Sequence, residues 1–372
     1  MVTESTGREV PGVRPPQTKN PMKQLLQLLA VLVTVAGRPP GFAQETQTLP
    51  FLPRHIYESR DSLQLDQAAS EDARACLAGL VWKVTSFQVQ CEVSDRGDAL
   101  VRFPSPIPTG DAQNDSVSME WYLARDEDGK PVTASAVVVV HESGRAMTVG
   151  RIFARGLQQK RMHTFLIHLP QYGKRRNRQV PDTDNILPLM RQAIADVRRA
   201  RDAVSVLPWV DSNHIALQGT SLGGFVSATV AGLDTGYDSV FLLLAGGDLY
   251  DMIQNGQRDT ARLRQRLQKS GVTDDELQKM TRVIEPTRLA HRMDSSRTWL
   301  YSGKHDTVVP LRNASVLARA SKLTRSHHIL MNANHYSGMI YLPFVLRHIS
   351  DRIAGLQKAD ATSQGHPTDG QR

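Results

Sequence analysis

Apolar positions along this chain follow two regimes, and the change comes near residue 134. Upstream, residues 81–93 tend to alternate polar and apolar side chains, most clearly in Trp82-Lys83-Val84-Thr85 and Phe87-Gln88-Val89-Gln90. That alternation predicts a strand with one wet face. Residues 99–103 and 117–124 read as further strands, the second closed by an Asp126-Glu127-Asp128-Gly129-Lys130-Pro131 turn. Residues 61–80 have helix-forming composition, and 45–59 read as a polar lead-in. Downstream, Ala136-Val137-Val138-Val139-Val140 is a continuous apolar run, as expected of a strand buried on both faces of a parallel sheet. Residues 164–169, 214–218, 239–245, 297–301 and 328–331 repeat the pattern. Helical stretches are expected at 148–157, 225–233 and 341–356. Another, at 185–204, is amphipathic, with Ile186, Leu189, Ile194 and Val197 facing inward. Strands alternating with helices predict an α/β fold: a doubly wound, mostly parallel sheet flanked by helices, with antiparallel strands at its N-terminal end.

The ends of the chain change this picture. Met22-Lys23, an apolar run over 25–36 and Gly41-Phe42-Ala43 have the basic start, apolar middle and small-residue cleavage site of a secretory signal peptide. The run is too short for a membrane span. Residues 1–21 upstream of Met22 read as an over-extended start. Of the 372 residues, about 329 would remain after cleavage at Ala43. The expected organisation is a leader over 1–43, an N-terminal extension over 44–116, a catalytic domain over 117–356 and a disordered tail over 357–372. Export, to periplasm or medium, follows as an expectation.

The formal charge is +8, of which the first 43 residues carry five Lys/Arg against two Asp/Glu. The remaining +5 is a mild bias, without the basic helix or aromatic-basic alternation of a nucleic-acid binder. Cys76 and Cys91 either pair in an exported protein, contributing about 3 kcal/mol, or stand as separate buried thiols. Spacing alone leaves both open.

The chemistry concentrates at Gly219-Thr220-Ser221-Leu222-Gly223-Gly224, between a predicted strand and a predicted helix. Strand, G-x-S-x-G, helix is the nucleophile elbow of serine hydrolases. A Cβ at Gly219 or Gly223 would collide with neighbouring backbone in so tight a turn. A serine hydroxyl needs a base, and the base an orienting acid. Asp306 follows the 297–301 strand and His335 follows the 328–331 strand, in the order nucleophile, acid, base. All three sit at strand carboxyl ends, where open α/β sheets bind ligands. Asp248 and Asp251 compete for the acid's role. His305, His327 and His328 compete for the base's.

With these pieces in place the chain resembles the α/β-hydrolase superfamily, in its dienelactone-hydrolase and acyl-peptidase-like branch. The matching segments are 137–142, 219–224, 303–310 and Asn334-His335, within about residues 117–356. The resemblance implies Ser221 as nucleophile, Asp306 as acid and His335 as general base. It also implies an oxyanion hole from the backbone N–H of Leu222 and of Ser143, with Glu142 as the fallback. The loop His141-Glu142-Ser143-Gly144-Arg145 departs from the glycine-rich lipase form.

Residues 250–296 form a long, charged, helical stretch between two core strands, expected to be a small cap with Leu263, Leu267, Leu277 and Met280 inward. Lys174, Arg175, Arg176 and Arg178 lie on the same edge and would favour an anionic or sugar-acid substrate unless they are simply a solvated loop. The elbow lacks a P-loop lysine, and no C-x-x-C or H-E-x-x-H occurs, so no cofactor or metal is expected. The reading is an exported serine esterase acting on a small-molecule ester. The alternatives are a serine peptidase and a non-catalytic binding module on the same scaffold.

Overall fold

The computed structural model describes residues 55–64, 70–179 and 186–364. The leader reading of 1–43 and the last residues, 365–372, lie outside them. Ten strands form one sheet: β1 His55–Arg60, β2 Ser86–Glu92, β3 Ala99–Pro104, β4 Ser116–Tyr122, β5 Ala134–Val140, β6 His163–Ile167, β7 Val210–Thr220, β8 Ser239–Leu243, β9 Thr298–Gly303 and β10 His328–Met331. The helices are α1 Glu71–Ala78, α2 Ala112–Asp115, α3 Thr148–Gln158, α4 Ile186–Ser205, α5 Leu222–Leu233, α6 Leu249–Asn255, α7 Asp259–Lys269, α8 Asp274–Val283, α9 Leu311–Ala320 and α10 Leu342–Gln364.

The strand order is β1-β2-β3-β4-β6-β5-β7-β8-β9-β10. The first four strands and the β4–β6 pair are antiparallel, and every pair from β6 to β10 is parallel. The chain steps back from β5 to β6, then passes β5 to reach β7. This reversal makes the carboxyl ends of β5 and β7 neighbours, with Val140 opposite Gly219. It is the topological switch point at which such sheets hold ligands.

The apolar run read in β5 is buried on both faces. Val138 and Val140 join one core cluster with Ile194 and Val197 of α4 and Val226 of α5. Val137 and Val139 point the other way by the pleat and are equally buried. There α3 packs on β5 and β6 with α10 beside it. Full burial of each valine contributes about 1.5–3 kcal/mol.

The N-terminal strands extend the same sheet, since β3 pairs with β4 along its whole length. Residues 55–60, all but the last within the expected polar lead-in, are strand β1. Its exposed edge gives a weak pattern, with Ile56 half exposed. The expected helix at 61–80 shrinks to α1, started by Ser70 accepting from the Ala73 amide. A buried ion pair and a hydrogen bond dock this region: Asp61 lies 2.5 Å from Arg199 of α4, and Asp202 accepts from Ser62. Cys76 and Cys91 are two separate buried thiols. The Cys76 thiol donates to Val283 O, and burial pushes the thiols up to about 11 and about 12 respectively. At the far end, residues 357–364 continue α10 to Gln364 rather than forming disordered tail. A helix already nucleated and packed propagates easily through Gln, Lys and Ala.

Candidate active site

Ser221 stands where β7 ends and α5 begins, at φ 53° and ψ −114°, a conformation seldom adopted by a residue with a Cβ. Its amide donates to Leu243 O, so the β7–β8 ladder carries through to the nucleophile position. The sharp turn is possible because of its glycines. A Cβ at Gly219 would strike Gly223 and Ser227, and one at Gly223 would strike the Val140 and His141 carbonyls.

The acid and base loops are zipped together by the same logic. Past the strand ends, Lys304 N–H donates to Met331 O and His305 N–H to Ala333 O. The second loop is shaped by Asn334, whose side chain accepts from the amides of Tyr336 and Ser337. As a result Ser221 Oγ lies 3.0 Å from His335 Nε2, and His335 Nδ1 lies 2.7 Å from Asp306 Oδ2. The Asp306 carboxylate is fully buried, and its other oxygen accepts from the amides of Val308 and Val309 at 2.8 and 2.9 Å.

The competing groups are engaged elsewhere. Asp248 caps α6, and Asp251 pairs with Arg312 at 2.9 Å. His305 meets Asn332, His327 meets Ser295 O, and His328 meets Ser302.

The loop after β5 sits beside the elbow and is held at three points. His141 is enclosed, and burial pushes its imidazole down to about 3, so it is neutral. It accepts from Leu169 N–H at Nε2 and donates from Nδ1 to Glu142 O. The Glu142 carboxylate accepts from the Val149 and Gly150 amides and so caps α3. The Tyr172 hydroxyl donates to Ser143 O at 3.0 Å, its ring 4.6 Å from that of His141. Leu222 is the first residue of α5, where N–H groups have no partner within the helix. Ser143, Ser221 and Leu222 line one cavity; Glu142 does not.

Residues 189–340 match the prolyl oligopeptidase family. No curated protein matches the chain in sequence. An acetyl xylan esterase from Paenibacillus sp. R4 superposes with a TM-score of 0.55 at 14% identity, over 78% of this chain and 97% of that one. Acetyl xylan esterase 1 from Thermoanaerobacterium sp. JW/SL YS485 gives 0.48 at 14% identity, over 77% and 95%. The chain has the α/β-hydrolase fold. Over residues 189–340 the sequence is similar to the prolyl oligopeptidase family, in line with the acyl-peptidase-like resemblance of its motifs.

The cavity of the hydrolase encloses about 430 Å³ above Ser221. The expected inward residues Leu263, Leu267, Leu277 and Met280 all line it, from α7 and α8. Of the four positions expected to face inward on α4, Ile194 and Val197 are core, whereas Ile186 and Leu189 face the cavity. The basic loop does not contribute. Arg175 is fully buried, 2.8 Å from Asp196 and donating to Asn114 O and His168 O. Lys174 pairs with Asp95 at 2.9 Å, and neither these nor Arg176 and Arg178 line the cavity. Tyr172 was invisible to sequence reasoning, because its role depends on a ring contact and a hydrogen bond across 29 residues. Among the described residues no cluster of His, Cys, Asp or Glu is arranged to hold a metal, and no helix is long and apolar enough to cross a membrane.

Proposed function

We propose that this hydrolase is an exported serine esterase that cleaves small carboxylic esters through an acyl-enzyme. The observation that carries the reading is the continuous relay from Asp306 through His335 to Ser221, opening on an apolar cavity. In this reading Ser221 Oγ attacks the ester carbonyl while His335 Nε2 takes its proton. Asp306 fixes the tautomer through Nδ1 and stabilises the imidazolium. The backbone N–H groups of Leu222 and Ser143 bind the developing oxyanion, helped by the positive end of α5. His335 returns the proton to the departing alcohol, and water then releases the acid by the same route. Export rests on the leader-like residues 1–43.

The prolyl oligopeptidase match favours a second reading, cleavage of an amide. In this chain the described residues between 55 and 116 supply strands β1 to β3 and short helices beside the same sheet. Turnover of short p-nitrophenyl esters and aminoacyl p-nitroanilides decides between them. The ester reading expects the former to be hydrolysed faster and Ser221→Ala to lose at least about 10⁴-fold in kcat/KM. Equal turnover by wild type and Ser221→Ala would refute both.

A further inference from the structure

The geometry points to the acyl group: the hydrolase takes esters of apolar acids of about six to ten carbons, in preference to acetate. This rests on the serine-hydrolase reading and names what that site selects. Three observations lead to it.

The first is size. A volume of about 430 Å³ holds on the order of a dozen water-sized groups at about 30 Å³ each, far more than an acetyl group fills. The second is the chemistry of the wall. The wall includes Leu187 and Met190 of α4 and Leu263, Leu277 and Met280 of the helical insertion. The lining hydroxyls of Thr260 and Thr281 already donate to Val308 O and Leu277 O. Asp259 is held by Arg262 and by Tyr336. Arg262 and Arg266 also line the cavity, but most of its wall is apolar, so methylene groups gain by leaving water there whereas a neutral sugar would give up water against that wall. The third is continuity. Ser143, Ser221 and Leu222 line the same cavity, so the acyl chain bonded to a carbonyl at Ser221 has room to extend into it.

The test is a p-nitrophenyl series of acetate, butyrate, hexanoate and octanoate, which varies the acyl group and holds the alcohol fixed. If each methylene is buried, kcat/KM rises about fourfold per methylene up to at least hexanoate. Met280→Trp and Leu187→Trp fill the cavity from two different helices, both at half-buried positions. Each is expected to lower the octanoate-to-acetate ratio of kcat/KM by at least tenfold. A flat or falling series in wild-type protein that is labelled by a fluorophosphonate overturns the acyl assignment alone. A rising series whose ratio survives both tryptophans also overturns it, since the chain would then bind elsewhere. Absence of both labelling and ester turnover overturns the esterase reading beneath it.

Discussion

A backbone held at φ 53° is a cost that the rest of the elbow must offset, and at Ser221 the surroundings over-determine it. The Leu243 carbonyl holds the amide on one side, and the start of α5 holds the carbonyl on the other. This is why Ser221, Asp306 and His335 were legible as residues: each follows an apolar run that can only be a core strand, so its loop was placed before its side chain. Tyr172 and His141 were not, because a ring-on-ring contact leaves no trace in spacing. His141 carries a prediction of its own. Its folded pKa of about 3 lies below the ordinary histidine value of about 6.5, so the unfolded chain binds a proton first as pH falls. Its stabilisation is therefore fully present above about pH 6.5 and is lost progressively toward pH 3. His168 and Arg151 face it as positive or neutral neighbours and Glu120 as a negative one, and buried His163 and His168 are shifted in the same direction. Urea unfolding should show about 2 kcal/mol less stability at pH 5 than at pH 7 from His141 alone. In His141→Gln that part of the pH dependence should disappear.

At the scale of elements, the helical insertion is fastened to both loops that carry Asp306 and His335. Gln257 N–H donates to Thr307 O, Thr260 Oγ1 to Val308 O, and the Tyr336 hydroxyl to Asp259 at 3.0 Å. Tyr336 follows His335 directly and meets its ring edge-on at 5.7 Å. It is a positioning residue, and Tyr336→Phe should lower kcat about fivefold, the worth of one hydrogen bond, with KM little changed. A rise in KM at constant kcat would mean that the contact shapes the cavity instead. The insertion's helices were readable from their leucines, whereas α9 was not anticipated. Its buried positions include Ala314 and Ala318, small residues that give a weak apolar period. Strand β1 escaped for the complementary reason, since among the described residues it pairs on one edge only and most of its side chains are exposed.

For the whole molecule, the sheet is continuous, but the attachment of its first three strands leans on buried charge. Arg199 reaches Asp61, donates to Pro104 O and covers the Phe87 ring at 4.6 Å, touching β3, β2 and the segment after β1. Arg199→Ala leaves Asp61 buried without its counter-ion and should cost about 3–5 kcal/mol in denaturant unfolding. No covalent link assists this docking. A reductant should leave Tm unchanged, and both thiols should react with a chromogenic disulfide only as the chain unfolds. The parallel half of the fold was readable because its strands are apolar throughout. The reach of the extension across α4 was not, because it depends on partners more than 130 residues apart.

Val308 and Val309 serve two masters. Their amides hold the Asp306 carboxylate, and their side chains face the cavity. An amide is the same whatever side chain it carries, proline excepted. Asp306 is thus anchored by groups that mutation cannot erase at the very positions where mutation would recut the pocket. Such a site can drift from one acyl length to another through these two codons while its relay stays intact, and a library confined to them should be rich in active enzymes of altered preference.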